Sequence, residues 1–144
     1  MAVETLTFGC RLNTVESEAL RAHAAADGRD RVVVNTCAVT AEAGRQARKA
    51  IRRIARERPG AEIVVTGCGA EVETEAYAAM PEVARLVGNA EKLRPEGWSA
   101  AATGPGAVMA ARAAEPTRVE AVAGHTRAFV PVQNGCDHRC TFCV

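Results

Sequence analysis

The sequence predicts an α/β fold, a parallel sheet with flanking helices. Short runs of β-branched residues alternate with longer segments of helical period. The hydrophobic fraction of 48% depends largely on alanine, and aromatic residues make up only 3%. Alanine-rich helices packed on strands of Val, Ile and Leu fit this composition better than an all-β sandwich does. The expected order is β-α-β-α-β-α-β-α, with right-handed crossovers between parallel strands.

Four strands are predicted. Residues 3–8 alternate apolar and polar side chains, whereas residues 32–34 and 63–65 are β-branched runs typical of strands buried on both faces. A weaker fourth strand covers residues 83–87. Each of the first three strands is followed within a few residues by a cysteine.

The helices between these strands are placed by their caps. Asn13 or Thr14 is expected to cap a helix over residues 15–26, and Thr40 to cap a longer one over residues 41–58. Shorter helices are predicted over residues 72–80 and 91–93.

The order of elements predicts one domain over residues 1–98. Residues 99–127 contain many alanines interrupted by Gly and Pro, so we expect a linker, with one short strand at residues 119–122. Residues 128–144 would begin a second domain, in which a strand at residues 129–133 leads into a cysteine-rich loop.

The net charge and the N-terminal sequence exclude some classes of protein. The formal net charge of +1 gives no case for nucleic-acid binding over the whole chain. The N-terminus lacks a basic region followed by an apolar run, and no stretch reaches about 18 apolar residues, so we expect a cytoplasmic protein without membrane attachment. In a reducing compartment, six cysteines indicate metal ligands or catalytic groups rather than disulfides.

Three cysteines lie close together at the end of the sequence. Cys136, Cys140 and Cys143 are separated by four and three residues. Soft thiolates suit iron–sulfur clusters, and one short loop would direct three sulfurs at the corners of one cluster. His138 lies inside this motif, but Cys-x₃-Cys is not a usual zinc spacing, so a solvent-facing His is expected.

The other three cysteines, Cys10, Cys37 and Cys68, are about one βα unit apart. Each follows the carboxyl end of a predicted strand, and in a parallel sheet these ends meet at the edge where ligands bind. Glycines beside them would let the backbone approach a bulky cluster. The alternative is that these are small core residues, as buried free cysteines often are.

The second long helix is strongly basic. Residues 41–58 contain seven Arg or Lys and two Glu, a net charge of +5. Arg45, Lys49, Arg52 and Arg56 share one face at helical spacing, and would follow the phosphates of a nucleic acid. The alternative is an ordinary solvated face.

The segments TFGCRLNTVES (7–17), VNTC (34–37) and VVTGC (64–68), together with the terminal Cys-x₃-Cys-x₂-Cys, resemble the methylthiotransferase family of radical SAM enzymes. The resemblance runs from residue 5 to the end and is weakest in the linker. CAVT (37–40) followed by RQARKAIRR (45–53) is most similar to the MtaB branch, which acts on threonylcarbamoyladenosine beside the anticodon of tRNA.

This resemblance implies two [4Fe-4S] clusters. Cys136, Cys140 and Cys143 would hold the one that binds S-adenosyl-L-methionine and generates a 5′-deoxyadenosyl radical, and Cys10, Cys37 and Cys68 the one that presents sulfur for transfer to carbon 2 of the adenine. It also implies a flavodoxin- or ferredoxin-like reductant. The fold would be a Rossmann-like N-terminal methylthiotransferase domain, followed by the first strand and Cys loop of a truncated radical SAM β/α barrel, inactive alone.

Two alternatives stay open at the level of sequence. Sister branches of the family modify isopentenyladenosine in tRNA or a ribosomal protein. A protein of another class would be a non-catalytic module that binds an iron–sulfur cluster or zinc, and delivers sulfur or binds tRNA.

Overall fold

The computed structural model describes residues 3–100, 102, 104–119, 121–133, 135–138 and 140–141. Strands and helices alternate along the first part of the chain. In order they are β1 (Val3–Thr7), α1 (Arg11–Ala25), β2 (Arg31–Thr36), α2 (Ala41–Glu57), β3 (Glu62–Gly67), α3 (Cys68–Val72), α4 (Thr74–Ala78) and β4 (Arg85–Leu86). Short 3-10 helices follow at Pro95–Trp98 and Ala107–Ala110.

The four strands form one parallel sheet in the order β1-β2-β3-β4. Leu6 is opposite Val34, and Val34 is opposite Val65, so successive strands are in register at their centres. Every residue of β2 is buried, as expected for a strand covered on both faces. The predicted parallel α/β sheet with flanking helices is therefore confirmed.

Two apolar clusters cover the two faces of the sheet. On one face, Val34 and Val65 pack with Ile51 of α2 and with Tyr77 of α4. On the other, Val33 and Val64 pack with Leu20 and Ala24 of α1, and Trp98 closes this cluster. Trp98 is 7% exposed, so its ring belongs to the core.

Helices α1 and α2 thus lie on opposite faces, although the strands are added in one direction across the sheet. In a sheet of sequential order, two crossovers on opposite faces have opposite hands. The prediction of right-handed connections throughout is therefore wrong for one of the first two crossovers. Packing α1 opposite α2 lets apolar side chains cover both faces of this small sheet.

A buried arginine ties the amino edge of the sheet together. Arg31 begins β2 and is 1% exposed, and its guanidinium donates to Glu62 Oε2 at 2.8 Å and to Asp27 Oδ2 at 2.8 Å. It also donates to the Ala24 carbonyl and lies 5.8 Å from the centre of the Trp98 ring. Burial opposes the charged form, but the hydrogen bonds to Asp27 and Glu62 outweigh it and raise the pKa of Arg31.

Helix boundaries differ from the predictions in two places. Helix α1 begins at Arg11, not near residue 15, and its N-cap residue Cys10 makes no side-chain cap hydrogen bond. In place of the single helix predicted over residues 72–80, the structure has α4 within that range and a separate short helix, α3, before it. The Thr74 hydroxyl donates back to the Ala70 carbonyl at 2.7 Å, a local hydrogen bond that competes with helix continuation. The cap predicted at Thr40 is confirmed, because its hydroxyl accepts from Ala43 N at 3.2 Å.

The predicted elements after β4 are mostly absent. Residues 91–93 form turns, not a helix, and no strand is present at residues 119, 121 and 122 or at residues 129–133. Val130 and Val132 are 75% and 93% exposed. A strand needs a hydrogen-bonding neighbour, and within the described residues nothing pairs with this segment. No helix in the part of the chain that is described is long and apolar enough to cross a membrane.

Candidate metal centre

Three cysteines occupy equivalent places at the carboxyl edge of the sheet. Cys10 is the residue before α1, Cys37 directly follows β2, and Cys68 directly follows β3. Because β1, β2 and β3 are parallel neighbours, their loops are adjacent. Cys10 is exposed, Cys37 is buried and Cys68 is half-buried. The placement deduced from sequence is present, while the role of the thiols as ligands stays a prediction.

Glycines let these loops approach one another. Gly9 has φ +99°, and a Cβ on it would lie 2.6 Å from Cys37 Sγ. A Cβ on Gly69 would lie 2.8 Å from Thr36 Oγ1. These glycines were expected to let the backbone approach a bulky cluster, but in the structure they allow loop-to-loop packing beside the thiols.

Two asparagines connect the loops. The Asn13 amide donates to the carbonyls of Phe8 and Thr36, each at 2.9 Å, and so joins the loop before Cys10 to the end of β2. The Asn35 amide donates to the Asn13 carbonyl at 3.1 Å and to Ser17 Oγ at 3.2 Å. The cap predicted at Asn13 is therefore wrong, and Asn13, Ser17 and Asn35 instead form one buried network beside the cysteine loops.

The fit of a metal group can be tested on this edge. Three thiols on neighbouring loops are the donor set that an iron–sulfur cluster takes. Buried oxygen atoms of Asn35, Thr66 and Asn89 have no hydrogen-bond partner and lie in or beside the same strand ends. In donor type and placement the residues fit. However, no three His, Cys, Asp or Glu side chains among the described residues are close enough to share a metal ion, so closing the site requires the thiols to move together.

A fourth loop, after β4, also reaches this edge. Asn89 Nδ2 lies 3.9 Å from Cys68 Sγ, and the buried Lys92 Nζ donates to Glu16 Oε2 at 2.5 Å. Burial raises the pKa of the Cys68 thiol, while the Lys92 ammonium and the Asn89 amide act in the opposite direction. Asn89 and Lys92 were not predicted from the sequence, because a lone Asn and a lone Lys in a weak helical pattern give no signal for a site.

The second predicted cluster site is the terminal cysteine loop. Cys136 and Cys140 are exposed, and Cys143 lies outside the described residues. The His138 backbone N–H donates to Cys136 Sγ at 3.3 Å, and the His138 side chain is exposed, as expected. Whether these three cysteines bind a cluster stays a prediction.

The basic residues of α2 separate into two groups. All four of the predicted set are exposed, but Arg45 forms an ion pair with Glu42. Lys49, Arg52 and Arg56 form no ion pair with any described residue. Two of these, Lys49 and Arg56, line a cavity of about 480 Å³ together with Arg53 of α2, with Leu6 and Thr7 of β1, and with Phe8, which follows β1.

Fold and site together define a parallel α/β domain that carries three cysteines on adjacent loops of its carboxyl edge. The chain belongs to the family described as Uncharacterized protein family UPF0004, whose profile matches residues 2–88.

Several curated relatives match nearly the whole chain. It is 42% identical over 144 residues to threonylcarbamoyladenosine tRNA methylthiotransferase MtaB of Rickettsia prowazekii (strain Madrid E), with 98% of this chain and 34% of the relative covered. Identity to the Bacillus subtilis (strain 168) protein of the same name is 32%, with 96% and 34% covered. A tRNA-2-methylthio-N(6)-dimethylallyladenosine synthase of Anaeromyxobacter sp. (strain K) is 31% identical, with 96% and 34% covered. The chain spans about a third of these relatives, and no solved structure gives a significant match.

Proposed function

We propose that this chain is the first part of a radical SAM tRNA methylthiotransferase that inserts a methylthio group at carbon 2 of threonylcarbamoyladenosine. The observation that carries the proposal is the arrangement of Cys10, Cys37 and Cys68 on one sheet edge. It occurs in a chain that is 42% identical to an enzyme named for that substrate. Residues 1–98 would form the methylthiotransferase domain, 99–127 a linker, and 128–144 the start of the radical SAM domain.

Two sets of cysteines would hold the two [4Fe-4S] clusters of such an enzyme. Cys10, Cys37 and Cys68 would hold one, and the terminal three the cluster that binds S-adenosyl-L-methionine. When bound, the clusters supply radical generation and the sulfur that is transferred. The chain's own contribution is positional. Asn13 fixes the distance between the first two cysteine loops, and the burial of Cys37 keeps water from one thiol.

The chain alone is expected to be inactive. A complete (β/α) barrel takes about 250 residues, more than this whole chain. Turnover would also require a flavodoxin- or ferredoxin-like reductant. Activity therefore has to be measured on the complete gene product.

The direct test is the modified nucleoside content of tRNA. The complete gene would be expressed in a bacterial strain that lacks its own threonylcarbamoyladenosine methylthiotransferase, and the nucleosides separated by liquid chromatography and mass spectrometry. We expect the methylthio form of threonylcarbamoyladenosine to be restored, and to be lost on Cys37→Ala. Methylthiolation of dimethylallyladenosine instead would overturn the substrate, and no methylthio nucleoside at all would overturn the activity.

The basic face of α2 is proposed as a tRNA contact. Arg45, Lys49, Arg52 and Arg56 are exposed, and a protein cation that neutralises a phosphate releases the counterion condensed on the nucleic acid there. Arg45 is held by Glu42, so we expect it to contribute least.

Charge reversal tests this surface in the complete gene product. Lys49→Glu combined with Arg56→Glu should weaken tRNA binding and lower the slope of log affinity against log salt by about one for each phosphate that is no longer neutralised. Arg21→Glu combined with Arg29→Glu is the control with the same change of net charge, because Arg21 of α1 and Arg29 of the following loop are 45% and 67% exposed, and α1 covers the other face of the sheet from α2. Equal affinities and equal slopes for both variants would remove α2 from the tRNA-binding surface.

A further inference from the structure

The loop after β4 forms a fourth side of the cysteine edge. The Gly88 carbonyl accepts from Lys92 N at 3.0 Å, which turns the chain back on itself. Asn89 N donates to Glu71 Oε1 at 2.6 Å, and this anchors the turn beside α3. Its side-chain amide then lies 3.9 Å from Cys68 Sγ. The turn therefore places two polar side chains, Asn89 and Lys92, at the edge that carries the three thiols.

Lys92 forms one of the most buried ion pairs of the described chain. Its side chain is 4% exposed, that of Glu16 is 5% exposed, and the two atoms of the pair are 2.5 Å apart. The Lys92 carbonyl also accepts from Trp98 Nε1 at 3.0 Å, so the backbone is fixed as well. Removing two charges from water is unfavourable, and a buried pair is often no more stable than well-packed apolar residues. Stability alone is therefore a weak reason for an ammonium group here.

We propose that Lys92 and Asn89 are positioning residues of the metal centre. In this role the Lys92 ammonium offsets the negative charge of the three thiolates, and the Asn89 amide donates a hydrogen bond to the Cys68 sulfur. The inference rests on the proposed function, since it requires a cluster held by Cys10, Cys37 and Cys68. The geometry supports it, because Asn89 Nδ2 lies 3.9 Å from Cys68 Sγ and the buried Lys92 is held in the same turn by the hydrogen bond from its backbone N–H to the Gly88 carbonyl.

The expected consequence is electrochemical. Reduction adds one negative charge to a cluster, and a buried cation or an N–H···S hydrogen bond stabilises that added charge. Low dielectric surroundings strengthen both effects. Lys92 and Asn89 should therefore raise the reduction potential of this cluster.

The test uses the 144-residue chain with Cys136, Cys140 and Cys143 all changed to Ala, so that only one cluster site remains. The protein is reconstituted anaerobically with ferrous iron and sulfide, and the midpoint potential is measured by redox titration followed by electron paramagnetic resonance. We expect Lys92→Met to shift the midpoint to a more negative value and Lys92→Arg to retain it. Asn89→Ala, at a half-buried site that tolerates truncation better, should shift it in the same direction as Lys92→Met.

Arg31→Met is the matched control for reduced stability. Arg31 is also a buried cation in an ion-pair network, but it begins β2. It therefore lies about 16 Å from Thr36, at the carboxyl end of that strand, at about 3.3 Å per residue. It should destabilise the fold without moving the midpoint. An unchanged midpoint in both Lys92→Met and Asn89→Ala would overturn this inference but not the proposed metal centre. Failure of the parent chain to form a cluster would overturn the proposed metal centre and this inference with it.

Discussion

The Arg31 network provides the sharpest test of what stabilises this domain. Arg31→Met keeps a long, unbranched side chain but removes the guanidinium that is shared by Asp27, Glu62 and the Ala24 carbonyl. Deleting one partner of a buried ion pair costs about 3–5 kcal/mol. Glu62 and Asp27 are 20% and 41% exposed and can regain water, which favours the lower end of that range. The Ala24 carbonyl is buried, and leaving it without a donor adds about 1–3 kcal/mol. We therefore expect a loss of roughly 4 kcal/mol in the free energy of unfolding.

Urea denaturation of the 144-residue chain measures this loss, followed both by circular dichroism and by the fluorescence of Trp98, the single tryptophan. Arg29→Met is the matched control, since Arg29 approaches the same two carboxylates from solvent at 3.4 and 3.9 Å. A surface pair of this kind contributes less than about 1 kcal/mol. If Arg31→Met lowered the unfolding free energy no more than Arg29→Met does, the network would not stabilise the sheet in the way described.

Three further predictions concern the acid limit, a cap and a glycine. The guanidinium of Arg31 lowers the pKa of Asp27, so the stabilisation by this pair is present above the unfolded-state pKa near 3.8 and is lost as pH falls below it. The difference in unfolding free energy between the parent and Arg31→Met should therefore become smaller below about pH 4. Thr40→Ala should lower the unfolding free energy by about 1 kcal/mol and Thr40→Ser by much less, because a serine hydroxyl still accepts from the backbone N–H three residues on. Gly67→Ala should cost more than Gly28→Ala in the same urea assay: both have positive φ, but only at position 67 would the new Cβ meet backbone, at 2.4 Å. Equal losses for the two glycine variants would count against close packing of the loops.

Much of the fold could be predicted from the sequence, because the patterns that indicate strands and caps involve residues close together in the chain. The β-branched runs within β2 and β3 predict buried strands, and the cysteine that follows each strand lies at its carboxyl end by topology alone. The Thr40 cap also depends on a contact only three residues long. The strand expected at residues 129–133 had the same local pattern, but it is absent because a strand exists only where a neighbour pairs with it.

The site could be predicted only in part because its supporting contacts are long-range. Asn13 was interpreted as a cap, since Asn before a helical pattern is commonly one, yet one of its amide partners is Thr36, 23 residues away. The ion pair between Glu16 and Lys92 joins residues 76 positions apart. No periodicity or spacing reports a pairing of that kind, so only the three-dimensional arrangement identifies it.

The double hydrogen bond of the Asn13 amide has a kinetic consequence for loading a metal centre. A flexible three-loop site must first find the arrangement in which all ligands face one point, and that search slows capture and weakens binding. Asn13 already joins the loop preceding Cys10 to the strand end preceding Cys37. The Thr36 hydroxyl joins that same strand end to the Cys68 loop, because it donates to the Thr66 carbonyl and accepts from Ala70 N. All three ligand loops are therefore tied together before any iron arrives, and incorporation requires the thiols, rather than the loops, to move together.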